Sequence, residues 1–267
     1  MKKEEIVTRN DIIEVLIKAL KPLNYVHAFW EGGAIAFNRL DEWSDIDLYA
    51  VVDDDKVEET FNVIENALKT LSPIKQKLYI PQLPWPGISQ TFYKLEKTSE
   101  FLIVDFAVIK LSAPDKLLET EIHGNLVFYF NKSKKLKPSR LDRNSFLEKL
   151  QARIEMLKVR FDLFNNLVEK EINRGNILEA LEWYRAFTLS SLIEVLRMKY
   201  YPFHYNFRMR YIHYELPHEI VRELENLYFV KNEEDLKEKY VKATEWFIKE
   251  ISGIDLKEIE KKLLKPK

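Results

Sequence analysis

Gly32-Gly33 and, a little further on, Trp43-Ser44-Asp45-Ile46-Asp47-Leu48-Tyr49-Ala50-Val51-Val52 form the stretch whose reading decides the fold. Polar and apolar residues alternate from Asp45 onward, the period of a half-buried strand, so Asp45 and Asp47 share one face while Ile46, Leu48 and Ala50 share the other. Two carboxylates side by side repel each other unless a cation neutralises them. Hard oxygen ligands suit Mg²⁺, which takes its remaining ligands from water and substrate phosphates. A glycine turn upstream of such a pair points to metal-assisted phosphate chemistry.

Working outward towards the N-terminus, Tyr25 to Trp30 reads as a buried strand broken by Glu31-Gly32-Gly33, and Ala34 to Phe37 as one or two helical turns. Strand, glycine turn and short helix together would cradle an anion. Before them, Ile12, Ile13, Val15, Leu16 and Leu20 recur at helical spacing, with Asn10 or Asp11 as the expected cap and Pro22 as the stop.

Downstream, Val57 to Leu71 is expected to be a helix ended by Pro73, and Ile74 to Ile80 a strand followed by a loop or lid holding Pro81, Pro84 and Pro86. Ile88 to Leu95 and Phe101 to Ile109 then flank Glu96 to Glu100 as the arms of a hairpin. Asp105 is a lone carboxylate among the apolar residues of the second arm. A buried charge is costly without a partner, so Asp105 requires a cation, a donor or solvent. Leu126 to Phe130 reads as one more strand.

The period then changes. Phe146, Leu150, Ile154, Leu157, Phe161, Phe164 and Leu167 predict one long helix, Ile177 to Met198 a second, and Pro202, Pro217 and Gly253 divide the remainder. The expected fold class is α+β: a mixed-sheet domain over 1–131, a basic connector over 132–144, and an all-α bundle of four or five helices over 145–267.

Composition narrows the function classes. The 267 residues carry 42 basic and 43 acidic side chains, a formal net charge of -1, so the whole-protein field supports neither nucleic-acid nor membrane binding. With no cysteine there is no disulfide framework, thiolate zinc site or cysteine nucleophile, which fits a reducing cytoplasm. No apolar run reaches membrane-spanning length, and Met1-Lys2-Lys3-Glu4-Glu5 leads into an amphipathic helix rather than a signal core. A cytoplasmic protein is the expectation. The charged fraction of 32% with 6 glycines resembles thermophile usage. His27, His123, His204, His213 and His218 lack ligand spacing, and His27 reads as a hydrogen-bonded core residue. The cluster Lys132, Lys134, Lys135, Lys137, Arg140 and Arg143 reads as a solvated connector.

Gly32-Gly33, Ser44-Asp45-Ile46-Asp47 and the later Asp105 resemble the DNA-polymerase-β-like nucleotidyltransferase superfamily over about residues 10 to 130. The resemblance implies phosphate contacts at Gly32, Gly33 and Ser44, and two Mg²⁺ ions held by Asp45, Asp47 and Asp105. Gly33 stands where a serine is common, and Lys75-Gln76-Lys77 has no carboxylate where some members keep a general base.

A following helical bundle, with Leu192 to Lys199 and Glu215 to Glu219, is similar to the nucleotidyltransferases that modify aminoglycosides or lincosamides. That likeness implies transfer of a nucleoside monophosphate from an NTP, ATP by preference, to a hydroxyl of a small acceptor in the cleft between the domains, with release of pyrophosphate. Asp105 or, by analogy, Glu182 would take the hydroxyl proton, and Arg39 and Lys199, with Arg197, Arg208 and Arg210, would balance the phosphates. The competing readings are nucleotidylation of a protein or tRNA and a non-catalytic nucleotide-binding protein. A homodimer is compatible with all of them.

Overall fold

The computed structural model describes residues 6–133 and 135–264; Met1 to Glu5, Lys134 of the basic connector and residues 265–267 lie outside it. The chain divides into two compact units, the first ending at Leu141 and the second beginning at Asp142. The architecture is α+β, with a mixed sheet in the first unit and helices in the second.

The sheet contains β1 (Val26–Glu31), β2 (Ile46–Val52), β3 (Ile74–Ile80), β4 (Ile88–Leu95), β5 (Val104–Lys110) and β6 (Val127–Asn131), ordered β3-β4-β5-β2-β1-β6. Its central pair, β2 with β5, is parallel, and the other pairs are antiparallel. Helices α1 (Arg9–Leu20) and α2 (Val57–Leu71) cover one face. Their apolar positions Ile12, Leu16, Ile64 and Leu68 join Phe29, Leu48 and Phe106 in the larger core. Each such side chain removed from water contributes about 1.5–3 kcal/mol. The opposite face carries a smaller cluster around Trp30, Val51, Ala107 and Ile109, with Leu118 and Leu136 from the chain after β5. A four-residue helix, α3 (Thr120–His123), interrupts that chain.

Several local expectations are corrected. The cap of α1 is Thr8, which closes a capping box with Asp11, rather than Asn10 or Asp11. Asp45 precedes β2 instead of opening it. The second hairpin arm begins at Val104, not Phe101, because Leu102 N–H turns back to the Ser99 carbonyl at 3.1 Å and the connection runs from Glu96 to Ile103. His27 is not a core residue: its ring lies 2.7 Å from Asp53 at the surface.

The second unit holds α4 (Arg143–Phe164), α5 (Leu167–Asn173), α6 (Ile177–Trp183), α7 (Ser190–Tyr200), α8 (Ile212–Glu215), α9 (His218–Tyr228), α10 (Glu233–Ser252) and α11 (Leu256–Leu264). It is more finely divided than four or five helices. The expected continuous helix through Leu167 stops at Phe164, because Asn165 is drawn sideways. Its amide donates to Tyr240 and Thr244, each at 3.1 Å, its side-chain carbonyl accepts from Thr188 at 2.6 Å, and its backbone carbonyl accepts from Tyr240. Between α6 and α7 the chain passes through a π-helical stretch, Tyr184–Leu189, that periodicity does not reveal. No helix among the described residues is long and apolar enough to cross a membrane.

Candidate active site

The parallel pairing of β2 with β5 sets Asp47 directly beside Asp105. In-register residues on adjacent strands lie roughly 5 Å apart and project from the same face, so the sheet holds these carboxylates side by side. Both are half-buried, between the buried pairs Ile46 and Leu48 on one strand and Val104 and Phe106 on the other. From β4, Gln90 Nε2 donates to Asp105 Oδ1 at 2.6 Å and orients that carboxylate.

The glycine turn lies against Asp47. Gly32 N–H donates to the Asp47 carbonyl at 2.9 Å, and Gly33 adopts φ +64. A Cβ at Gly33 would fall within the Asp47 carboxylate, only 2.9 Å from that residue's Cβ. Two independent requirements, a left-handed backbone and the closeness of a carboxylate, therefore demand glycine. The short 3₁₀ turn Ile35–Phe37 follows immediately.

Beside the site is an ion pair that the sequence did not announce. Arg9, at the start of α1, bonds to the carboxylate of fully buried Glu31, and Tyr129 O–H donates to the other oxygen of Glu31. Arg9 also donates to the Asp45 carbonyl at 2.9 Å. Burial lowers the Arg9 pKa, while Tyr129, Asp47 and Asp45 favour its charged form. The guanidinium thus lies close to Asp45 and Asp47 with its charge paired to Glu31. Neither Arg9, Glu31 nor Gln90 belongs to a recognisable motif.

The remaining expected residues fall in different places. Asp45 is exposed, and its Oδ1 accepts from Ile103 N–H at 3.2 Å, tying the entry of β2 to that of β5. Ser44 closes a local turn, donating to Asp41 Oδ1 at 2.6 Å and accepting from Asp41 N–H at 3.0 Å. Arg39 lies over the Phe37 ring, 5.1 Å from its centroid.

Within the helical unit, Lys199 pairs with Glu250 at 2.6 Å, which raises its pKa. Arg197 is wholly buried and bound to Glu215 and to the carbonyls of Arg208 and Arg210. Glu182 is exposed at the wall of a cavity in that unit.

Among the described residues no group of three or more His, Asp or Glu side chains is arranged to hold a metal ion. The fit is with two carboxylates. Asp47 and Asp105 are hard oxygen donors aligned on one face, and the absence of a side chain at Gly33 is what lets the Asp47 carboxylate occupy its position.

No protein-family model matches the chain, and no curated protein matches it. Among solved structures it is similar to an aminoglycoside 6-adenyltransferase from Bacillus subtilis (12% identity, TM-score 0.35, covering 98% of this chain and 93% of that one). A spectinomycin adenyltransferase from Enterococcus faecialis with ATP and spectinomycin aligns at 14% identity and TM-score 0.33, covering 96% of this chain and 98% of that one. A STING-associated c-di-GMP synthase from Capnocytophaga granulosa aligns at 14% identity and TM-score 0.30, covering 94% and 85%. At such similarity the functional reading rests on the geometry of the site itself.

Proposed function

We propose that the chain is a Mg²⁺-dependent nucleotidyltransferase that moves a nucleoside monophosphate from an NTP, ATP by preference, to a hydroxyl of a small molecule. One observation carries this reading: the carboxylate of Asp47, in register with Asp105 on the neighbouring strand, lies against a glycine turn where no side chain fits.

In this reading Asp47 and Asp105 hold the divalent cation, with Asp45 contributing from the strand entry. When bound, Mg²⁺ neutralises charge on the phosphates and acidifies the acceptor hydroxyl. The acceptor oxygen forms a bond to the α-phosphorus, the bond from that phosphorus to the bridging oxygen breaks, and pyrophosphate leaves with the electron pair. Asp105, oriented by Gln90, accepts the hydroxyl proton. The Gly32-Gly33 turn keeps the approach to Asp47 free of side chains, and Arg39, two residues beyond the short 3₁₀ turn, adds positive charge. Ser44, already committed to Asp41, acts by shaping the approach to β2.

The test is incubation with each labelled nucleoside triphosphate, Mg²⁺ and an acceptor panel of aminoglycosides, phosphorylated small molecules, tRNA and protein lysate. A labelled small product with release of pyrophosphate supports the proposal, whereas label in tRNA or protein replaces the acceptor class. No product, together with no Mg²⁺-dependent nucleotide binding, refutes it.

A further inference from the structure

The helical unit contains a cavity of about 750 Å³ that the sheet-borne chemistry does not use. Its wall carries Arg153, Arg160, Arg185 and Arg208 against the carboxylates Glu182 and Glu194. One of those carboxylates is already spent. Arg153 grips Glu194 with both arms of its fork, at 2.5 and 2.7 Å, and Glu194 in turn raises the Arg153 pKa. Arg160 lies 5.0 Å from the Phe187 ring centroid, and its polar contact is the Ala186 carbonyl at 3.4 Å. Among the described residues no carboxylate pairs with Arg160, Arg185 or Arg208. With all six side chains ionised, the wall carries a surplus of two positive charges.

The backbone is unusual at two places along the same cavity wall. Arg185 and Ala186 lie in the π-helical stretch, a distortion that recurs at functional positions because it re-aims side chains out of helical register. The stretch is held firmly: Tyr184 O–H donates to the Leu227 carbonyl at 3.0 Å and Thr188 to Asn165 at 2.6 Å. Elsewhere on the same wall, Arg208 adopts φ 52, a left-handed conformation that strains a non-glycine residue. The buried Arg197 fork fixes that turn by bonding the carbonyls of Arg208 and Arg210. Two anchored backbone irregularities thus present arginines to one cavity, and such local strain clusters at ligand sites.

We infer that this cavity binds a phosphate-bearing anion of nucleotide size. Planar guanidinium forks match phosphate oxygens two at a time, and Tyr205 and Tyr228 at the wall offer flat apolar surface to the organic part. A polycationic sugar of the aminoglycoside type would instead meet a surplus of like charge. The inference stands on the helical unit alone and survives if the sheet site proves not to transfer nucleotides. Two sources share the chemistry: the phosphates of the NTP and those of a phosphorylated acceptor.

The experiment is isothermal titration of the full chain, in EDTA, with tripolyphosphate, ATP and a polycationic aminoglycoside. Tripolyphosphate and ATP are expected to bind, more weakly as salt rises, and the exposed-site variants Arg185→Gln and Arg208→Gln each to lower affinity roughly tenfold. Circular dichroism checks that they fold. Asp47→Asn, which removes the transferase site, keeps this metal-independent binding, so the two readings fail separately.

A second titration with tripolyphosphate, in Mg²⁺ and saturating non-hydrolysable ATP analogue, separates the sources. No further arginine-dependent heat assigns the cavity to the nucleotide's own phosphates, and continued binding assigns it to a second phosphorylated molecule. No binding in EDTA, affinity unchanged in the Arg185→Gln, Arg208→Gln double variant, or tighter binding of the aminoglycoside overturns the inference.

Discussion

Asp47 and Asp105 are register partners on the parallel strands β2 and β5, so the backbone ladder forces two like charges into adjacent positions. Asp105→Asn removes one of the two anionic cation ligands while keeping the shape of the side chain. The variant should therefore lose the rise in melting temperature that MgCl₂ gives the wild type, together with nucleotidyl transfer. Thermal melts in EDTA and in MgCl₂ check this, and an undiminished Mg²⁺ response in the variant would remove Asp105 from the cation site.

Gly33 and Gly175 form a natural control pair. Both have positive φ, +64 and +76, but a Cβ at Gly33 runs into Asp47 whereas one at Gly175 meets nothing within 4 Å. Alanine at either position costs about 1–2 kcal/mol of backbone strain. Only Gly33→Ala should also displace the carboxylate and abolish transfer. Comparing urea midpoints with turnover separates the two effects; equal activity in both variants would reduce the glycine turn to a connection.

The legible parts of this fold were those written in periodicity. Alternation from Asp45 to Ala50 marked the strand β2, and helical spacing from Ile12 to Leu20 and from Val57 to Leu71 marked the helices on the larger core. Asp105 was visible because a carboxylate interrupts an apolar run. Its register against Asp47 was not, since strand pairing is a long-range property that no local pattern encodes. Arg9 and Glu31 were hidden for the same reason: they meet across the sheet end, and each looks like an ordinary surface charge in sequence. The break at Asn165 depends on partners on α10 and in the π-helical stretch, beyond any local window.

The Arg9 to Glu31 pair should be asymmetric under substitution. Arg9→Met strands a fully buried carboxylate with Tyr129 as its remaining named donor, whereas Glu31→Gln leaves a guanidinium that still feels Asp45 and Asp47. Breaking a buried pair from one side costs about 3–5 kcal/mol, so Arg9→Met should lie near that range and Glu31→Gln below it. The double variant should cost less than the sum of the two. Urea denaturation of the four proteins measures the coupling, and strict additivity would show that the pair is energetically idle.

Arg197 should not tolerate lysine. Its guanidinium is fully buried and serves Glu215 and the carbonyls of Arg208 and Arg210 in three directions, a fork that a single ammonium cannot reproduce. Arg197→Lys should cost about 2–3 kcal/mol, the magnitude of one charge-assisted bond left unmade. It should also raise amide exchange over residues 205–211, which the fork holds. Hydrogen exchange by mass spectrometry reads that loosening directly; unchanged protection there would mean the turn is fixed by other contacts.

Acid stability should trace in part to Glu171 on α5. Its carboxylate accepts from Asn176 at 2.9 Å and from Arg174 at 2.7 Å, and these contacts, the Asn176 bond foremost, lower its pKa from the ordinary 4.5. A carboxyl with a depressed folded pKa binds fewer protons folded than unfolded. Its contribution is therefore complete above about pH 4.5 and drains away as pH falls through the lower folded value. Glu171→Gln should reduce the melting temperature at pH 7, and the gap to wild type should narrow steadily below pH 4.5. A gap that stays constant down to pH 3 would assign the loss to packing or to the hydrogen bonds alone, with no part played by the ionised carboxylate.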